Sequence, residues 1–264
     1  LIYKLYNLIY KYKLYMMEII KNTQFSGTKL GVIAVSLIFL PNTYIHSKVS
    51  SFKHLTLLEY QWMIFTCITG LWEACFVVNY TGTGIMAHDL LLKHEHVWTS
   101  NYDITYLAPW KFSQIFYAEY GAYADREYML PHDDLSRVIE SSHGVMCGFF
   151  CILAVFSLLC EYHNHYLITI SIAMGSQFMN SLLYMVDYFH QTRDPSNINY
   201  NTNDFPTGSM LEKRPFMYVN IFWMLMPAYY IMRLLLSCSY YKKGNSISLS
   251  YQPNEKQPLL PYSS

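Results

Sequence analysis

Charge is what this chain has least of. Only 14% of its 264 residues are Asp, Glu, Lys or Arg, against roughly 25% in soluble domains. That deficit argues against a disordered chain and a free-standing soluble globule, because both rely on charge to stay solvated. The charges present cancel, 18 basic against 18 acidic, so the basic excess of a nucleic-acid binder is missing. No GxSxG elbow, P-loop or GxGxxG occurs, which removes the signatures of serine hydrolases, nucleotide sites and dinucleotide sites. Neither HxxxH nor HxxHH is found; His94-x-His96 and His163-x-His165 stand in polar connections without further ligands nearby. A metal is therefore not expected, and neither is any other cofactor. Six cysteines include no CxxC pair, and all fall in apolar stretches, so they read as packing thiols rather than a disulfide framework. No internal repeat supports inverted-repeat transporter architecture.

What the chain does have is apolar sequence gathered into blocks. Apolar residues make up 53% and aromatics 17%, yet mean hydropathy is only +0.12, so long polar connections separate the blocks. Five blocks approach the 20 or so residues that span a bilayer: 30–46, 61–80, 138–160, 166–188 and 216–238. Tyr and Trp cluster near many of their ends, as interfacial anchors do. The expected fold is an all-α membrane protein, a five-transmembrane-helix bundle with a long polar loop, 81–137, between the second and third spans. A piece of that loop, 106–123, is amphipathic and reads as lying in the membrane interface. Residues 1–29 read as a poorly ordered or interfacial N-terminal extension, 30–238 as the membrane domain, and 239–264 as a disordered polar tail. The chain opens on Leu1, and Met16 or Met17 reads as its initiator. With the N-terminus inside, twelve Lys and Arg collect on the cytoplasmic side against five opposite, which favours that orientation.

Polar residues inside apolar spans carry the functional signal, because an ionisable group there costs about 2.5–3.5 kcal/mol on insertion scales. Glu73 lies midway along the second span, with Thr69 one turn before it. Glu140 opens the third span, followed at i+3 by His143. The fourth carries Gln177, Asn180 and Ser181, and the fifth carries Asn220 with Trp223 at i+3. This spacing puts the polar groups of each span on one face, aimed at a common interior. Gln, Asn and Ser in such places also serve as interhelical glue, and Glu140 also suits a helix N-terminus. The chemistry that fits the set is cofactor-free acid–base work: two carboxyls in different environments supply an acid and a base, and aromatic faces stabilise a cation.

The same residues carry a resemblance. EACFVVNY (73–80), FSQIFYAEY (112–120) followed by Asp125 and Tyr128, IESSHG (139–144), QFMNSLLY (177–184) and NIFWMLMP (220–227) resemble, in order, motifs of the emopamil-binding protein family. These are the sterol Δ8–Δ7 isomerases with the five-helix EXPERA domain. The last motif matches the family's N-x-x-W-x-x-x-P residue for residue. The resemblance covers roughly 30–238 and implies a multi-pass membrane protein of the endoplasmic reticulum, with the nuclear envelope or endolysosomal membranes as alternatives. It implies a sterol substrate entering from the bilayer, lipophilic amines as inhibitors that mimic the cation, and no cofactor; a homodimer stays open. Carried over residue by residue, Glu73, Glu140 and Asn220 are catalytic, while Thr69, Trp223, Gln177 and Tyr184 line the substrate. Three positions depart from the family. Thr69 stands where it has His, His143 where it has Thr, and Ser181 where it has an acid. The exchange of Thr69 and His143 looks reciprocal, so His143 is expected to serve as a substitute proton relay. A non-catalytic sterol- or amine-binding member of the same fold is the alternative. The tail also contains ExxxLL (Glu255 to Leu260), the pattern of an acidic dileucine sorting signal.

Overall fold

The computed structural model describes residues 23–124, 135–191 and 217–249, together with Tyr3, Tyr6, Tyr10 and Lys11. The described residues are mostly helical. In chain order they form β1 (Gln24–Ser26), α1 (Gly27–Lys48), α2 (Leu57–Val78), α3 (Tyr80–Lys93), β2 (Asn101–Asp103), α4 (Pro109–Tyr123), a π-helical turn (Leu135–Glu140), α5 (Ser141–Leu159), α6 (His163–Gln191) and α7 (Met217–Leu249).

Among the described residues, four helices are long and apolar enough to cross a membrane: Gly27–Lys48, Leu57–Val78, Arg137–Leu159 and Tyr218–Leu236. Helix α6 is the longest element around the fourth apolar block, at 29 residues, but Gln177, Asn180 and Ser181 dilute its apolar character. Helix α2 begins with a capping box. The Thr56 N–H donates to Glu59 Oε2 at 2.7 Å, and the Glu59 N–H donates back to Thr56 Oγ1 at 3.2 Å. Pro41 lies inside α1 without ending it; Asn42 and Thr43 beside it bond back to carbonyls one turn earlier.

The 81–137 stretch is not a loop over its described part, which is a correction to the sequence reading. Residues 80–93 form a helix because Tyr80, Thr83, Ala87 and Leu90 recur at helical spacing and are buried. His94, in the left-handed conformation at φ 53°, ends it. The amphipathic 106–123 piece becomes α4, started by Pro109 at its first turn. Its Phe112, Ile115, Tyr117, Ala118 and Ala122 are buried against protein, so that face packs on α2 and α3 rather than on a lipid surface. Two boundaries also move. Residues 24–29 belong to the fold rather than to an extension, because β1 pairs antiparallel with β2 (Phe25 with Tyr102) and α1 begins at Gly27. Helix α7 continues to Leu249, so the tail's first eleven residues, 239–249, are helical. The initiator, the 192–214 connection and the dileucine motif lie outside the described residues.

Two apolar cores share α2. One gathers Trp72, Phe76 and Tyr80 with Leu30, Leu90, Phe112 and Tyr117 from α1, α3 and α4. The other gathers Tyr60, Trp62 and Met63 with Cys151, Leu158, Tyr166, Met174, Met226 and Tyr230 from α5 to α7. Helices α2 and α5 cross at near backbone contact. A side chain at Gly70 would stand 2.9 Å from Gly144 O and from Gly148 Cα, and one at Gly148 would stand 2.9 Å from Gly70 Cα. Small residues at such a crossing let membrane helices gain close packing.

Gly70→Leu is therefore expected to destabilise the detergent-solubilised protein by about 1–3 kcal/mol through overpacking. Gly175→Ala, where nothing lies within 4 Å, should be neutral or stabilise by up to about 1 kcal/mol. Thermal unfolding of both variants beside the parent checks the pair.

Candidate functional site

Glu73 stands on the fifth turn of α2 and turns its side chain between α4 and α5. The Tyr117 hydroxyl, delivered by α4, donates to Glu73 Oε1 at 2.5 Å. Ser141, fully buried at the start of α5, presents a second hydroxyl to the carboxyl. Glu73 Oε2 is buried and has no hydrogen-bond partner. Gly144 makes the room: a side chain there would stand 2.7 Å from Glu73 Cγ. Helix α4 is held in place independently, because Ser113 Oγ donates to the Trp72 carbonyl at 2.7 Å. The Tyr117 ring packs on Phe76 with centroids 4.8 Å apart.

Glu140 is the residue immediately before Ser141 and closes the π-helical turn that leads into α5. Turns of this type recur at functional sites. The backbone thus brings the two carboxyl-bearing positions to one place; the Glu140 side chain lies outside the described residues. Near this end of α2 a groove of ≈ 360 Å³ is lined by Val77, Val78, Asn79, Arg137 and Val138. The Arg137 guanidinium lies 5.1 Å from the centre of the Tyr80 ring.

The other sequence-derived positions gather elsewhere. Gln177 is buried, and its Oε1 accepts from Trp62 Nε1 at 2.9 Å. Trp223 packs on Trp62 at 4.7 Å and stacks on Phe65 at 5.5 Å, while Ser181 Oγ donates to the Trp223 carbonyl at 3.3 Å. Asn220 is half-buried one turn before Trp223, and Tyr184 half-buried two turns after Gln177. Trp62 and Phe65 precede Glu73 by eleven and eight residues, about 12–16 Å along the helix axis. The structure thus brings together Glu73 and the Glu140 backbone at one level of α2, and Gln177, Ser181 and Trp223 at another.

Thr69 and His143 join neither group directly. Thr69 Oγ1 donates to the Thr66 carbonyl of its own helix at 3.1 Å. The His143 ring faces α6, with Nε2 3.3 Å from Cys147 Sγ and a bond to the Ser176 backbone. Among the loop histidines, His96 pairs with Glu119 Oε1 at 2.8 Å and stacks on Tyr123.

Sequence reasoning missed Tyr117 and Trp62. Tyr117 sat in a motif quoted for its outline, and nothing local says that α4 folds back on Glu73. Trp62 had a signal, because eleven residues place it on the same helix face as Glu73 and a buried indole N–H needs an acceptor. Comparison of the chain with protein-family models, with curated proteins and with solved structures returned no match.

Trp62→Phe keeps an aromatic ring but strips the donor from the buried Gln177 carbonyl, and should cost about 1–3 kcal/mol. Adding Gln177→Leu removes the orphaned amide and should recover part of the loss. A double-mutant cycle on thermal stability reads the coupling.

Proposed function

We propose that this chain is a cofactor-free intramembrane isomerase of the sterol Δ8–Δ7 type, with α6 completing a five-helix bundle in the endoplasmic reticulum membrane. The observation that carries the reading is the Glu73 carboxyl: buried in an apolar helix, bonded through one oxygen by Tyr117, with the other buried and without a bond. A carboxyl so placed handles protons in a dry site. One carboxyl of the Glu73–Glu140 pair protonates C9 of the C8=C9 alkene, forming a C–H bond from the alkene electrons and leaving a cation at C8. The other removes a proton from C7, and that C–H pair becomes the C7=C8 bond. Aromatic rings near Glu73, from Tyr117 and Phe76, supply faces for the cation. Trp223, farther along α2, meets the distal part of an elongated substrate. Asn220 is assigned the orientation of one carboxyl, as the resemblance implies. The groove near the end of α2 provides an approach from the bilayer. His143, whose bonds run to α6, is left outside the proton path, which revises the relay expected from the sequence.

A second reading is a non-catalytic binder of sterols or lipophilic amines. It is favoured by Thr69, whose hydroxyl serves its own helix, so that no imidazole reaches Glu73 from α2.

Complementation of a yeast strain lacking sterol isomerase, with Δ8 and Δ7 sterols read by mass spectrometry, separates the two. The enzyme converts Δ8 to Δ7 sterol; the binder retains amine affinity without conversion. Glu73→Gln should lower the rate about 100-fold or more. His143→Thr should stay within about threefold of the parent, since it loses no acid–base factor. A hundredfold loss in His143→Thr would restore the relay.

A further inference from the structure

The two oxygens of Glu73 are not equivalent. Oε1 receives the Tyr117 hydroxyl at 2.5 Å, while Oε2 is buried and without a bond. Tyr117 is itself buried, at 5% exposure, and its ring is wedged by Phe76 and Phe116 at 4.8 and 5.2 Å. Helix α4 is pinned twice more. Ser113 bonds the Trp72 carbonyl on α2, and Glu119 accepts from the Val97 N–H at 2.8 Å and pairs with His96. The hydroxyl is therefore presented from a fixed helix, and on the opposite side Gly144 leaves the Glu73 methylenes only the space they occupy.

We propose that Tyr117 is the positioning residue that makes Glu73 a one-oxygen acid–base group, so that the proton exchanged with substrate travels on Oε2. The inference rests on the acid–base reading of Glu73. Tyr117 keeps its own proton throughout. When Glu73 Oε2–H gives its proton to an alkene carbon, the O–H bond breaks, a C–H bond forms and negative charge develops on the carboxylate. The hydrogen bond to Oε1 strengthens as that charge appears, because a phenol bonds an ionised acceptor more strongly than a neutral one. An interaction that grows toward the transition state acts on kcat and leaves substrate binding largely unchanged.

Tyr117→Phe removes the hydroxyl and keeps the ring packing. With Δ8 sterol as substrate, kcat should fall about 10- to 100-fold, the range for a lost bond to a charged group, with KM within about threefold. A second measurement does not depend on turnover. Dicyclohexylcarbodiimide, an apolar reagent, takes the proton of a buried carboxyl on its nitrogen while the carboxylate oxygen adds to its central carbon. The resulting O-acylisourea shifts its acyl group from oxygen to nitrogen, leaving a stable N-acylurea that peptide mass spectrometry locates. Labelling of Glu73 should be about tenfold faster in Tyr117→Phe than in the parent, because the phenol no longer holds Oε1 and stabilises the ionised form. If the parent shows no isomerase activity but the labelling difference holds, the role of Tyr117 stands and the proposed reaction falls. Unchanged labelling overturns the proposal, and so does a variant whose thermal stability, KM and kcat decline together, which is the behaviour of a packing residue.

Discussion

Everything at the centre of this molecule depends on how closely α2 and α5 approach at Gly70 and Gly148. Hydrocarbon solvates Leu as well as a protein core does, so membrane helices associate through packing contacts and interhelical hydrogen bonds. Glycine on both sides of the crossing removes the side chains that would hold the helices apart. One turn from this contact, Gly144 lies under Glu73, and Ser141 follows on the same face of α5 at the carboxyl. A wider crossing would take Ser141 away from Glu73 and open the pair to lipid. The backbone contact therefore sets the geometry of the polar group that it does not itself include.

The cost of polar atoms in an apolar setting organises the rest. Many buried polar side chains in the described helices are answered from another element, while Thr66 bonds within its own helix and Gln61 Oε1 and Glu73 Oε2 stay unbonded. Gln61 Nε2 donates to the Phe39 carbonyl and Thr43, Tyr60 donates to Asn42, and Trp62 donates to Gln177. The Tyr166 and Tyr230 hydroxyls meet at 2.8 Å. These bonds join α1 to α2 and α6 to α7, which pack side by side, while the Trp62–Gln177 bond reaches past α5 to tie α2 to a helix it scarcely packs against. Each contributes modestly when made and costs about 1–3 kcal/mol when left unmade. They therefore specify which faces meet more than they add to stability.

Some of this was legible in the sequence. The apolar runs at 138–160, 166–188 and 216–238 announced α5, α6 and α7 to within a few residues at most ends, because a continuous run of that length has few other uses. The second span, read as 61–80, starts four residues earlier as α2, because the capping box of Thr56 and Glu59 was not read from the sequence. Glu73 stood out because its position is expensive. Helices α3 and α4 did not stand out: Tyr80, Thr83, Ala87 and Leu90 alternate with polar residues, and GTG and HEH punctuation within 82–96 reads as loop. The approach of Gly70 to Gly148 joins residues far apart in the chain, and no local rule pairs them. For the same reason Tyr117 was seen as part of an amphipathic surface, when its meaning comes from the helix it folds against. Trp223 was expected beside the carboxyls; periodicity correctly turned it inward but carried no information about depth along the bundle.

Helix α2 contains its own control for the meaning of Glu73, because it carries a second buried carboxyl. Glu59 is 4% exposed and uses both oxygens: Oε2 accepts the Thr56 N–H, and Oε1 accepts Arg233 Nε at 3.3 Å from α7. Each of its oxygens is bonded, one of them to a cation, so it caps the helix and ties two elements. Glu73 has no cation among its bonds; the Tyr117 phenol and the Ser141 hydroxyl serve its carboxyl, and Oε2 is left without a bond. A carboxyl kept only for structure in such a place would be expected to complete its bonds as Glu59 does, since an unmade bond at a buried acceptor is among the costlier defects a fold carries. Sparing that cost would take no more than another hydroxyl or amide within reach of Oε2. Gln61 of the same helix also leaves Oε1 unbonded, so the open acceptor alone does not mark a working group. The ground of the proposed role is that the open oxygen of Glu73 belongs to a carboxyl with no cation among its bonds, whereas that of Gln61 belongs to a neutral amide already tied to α1.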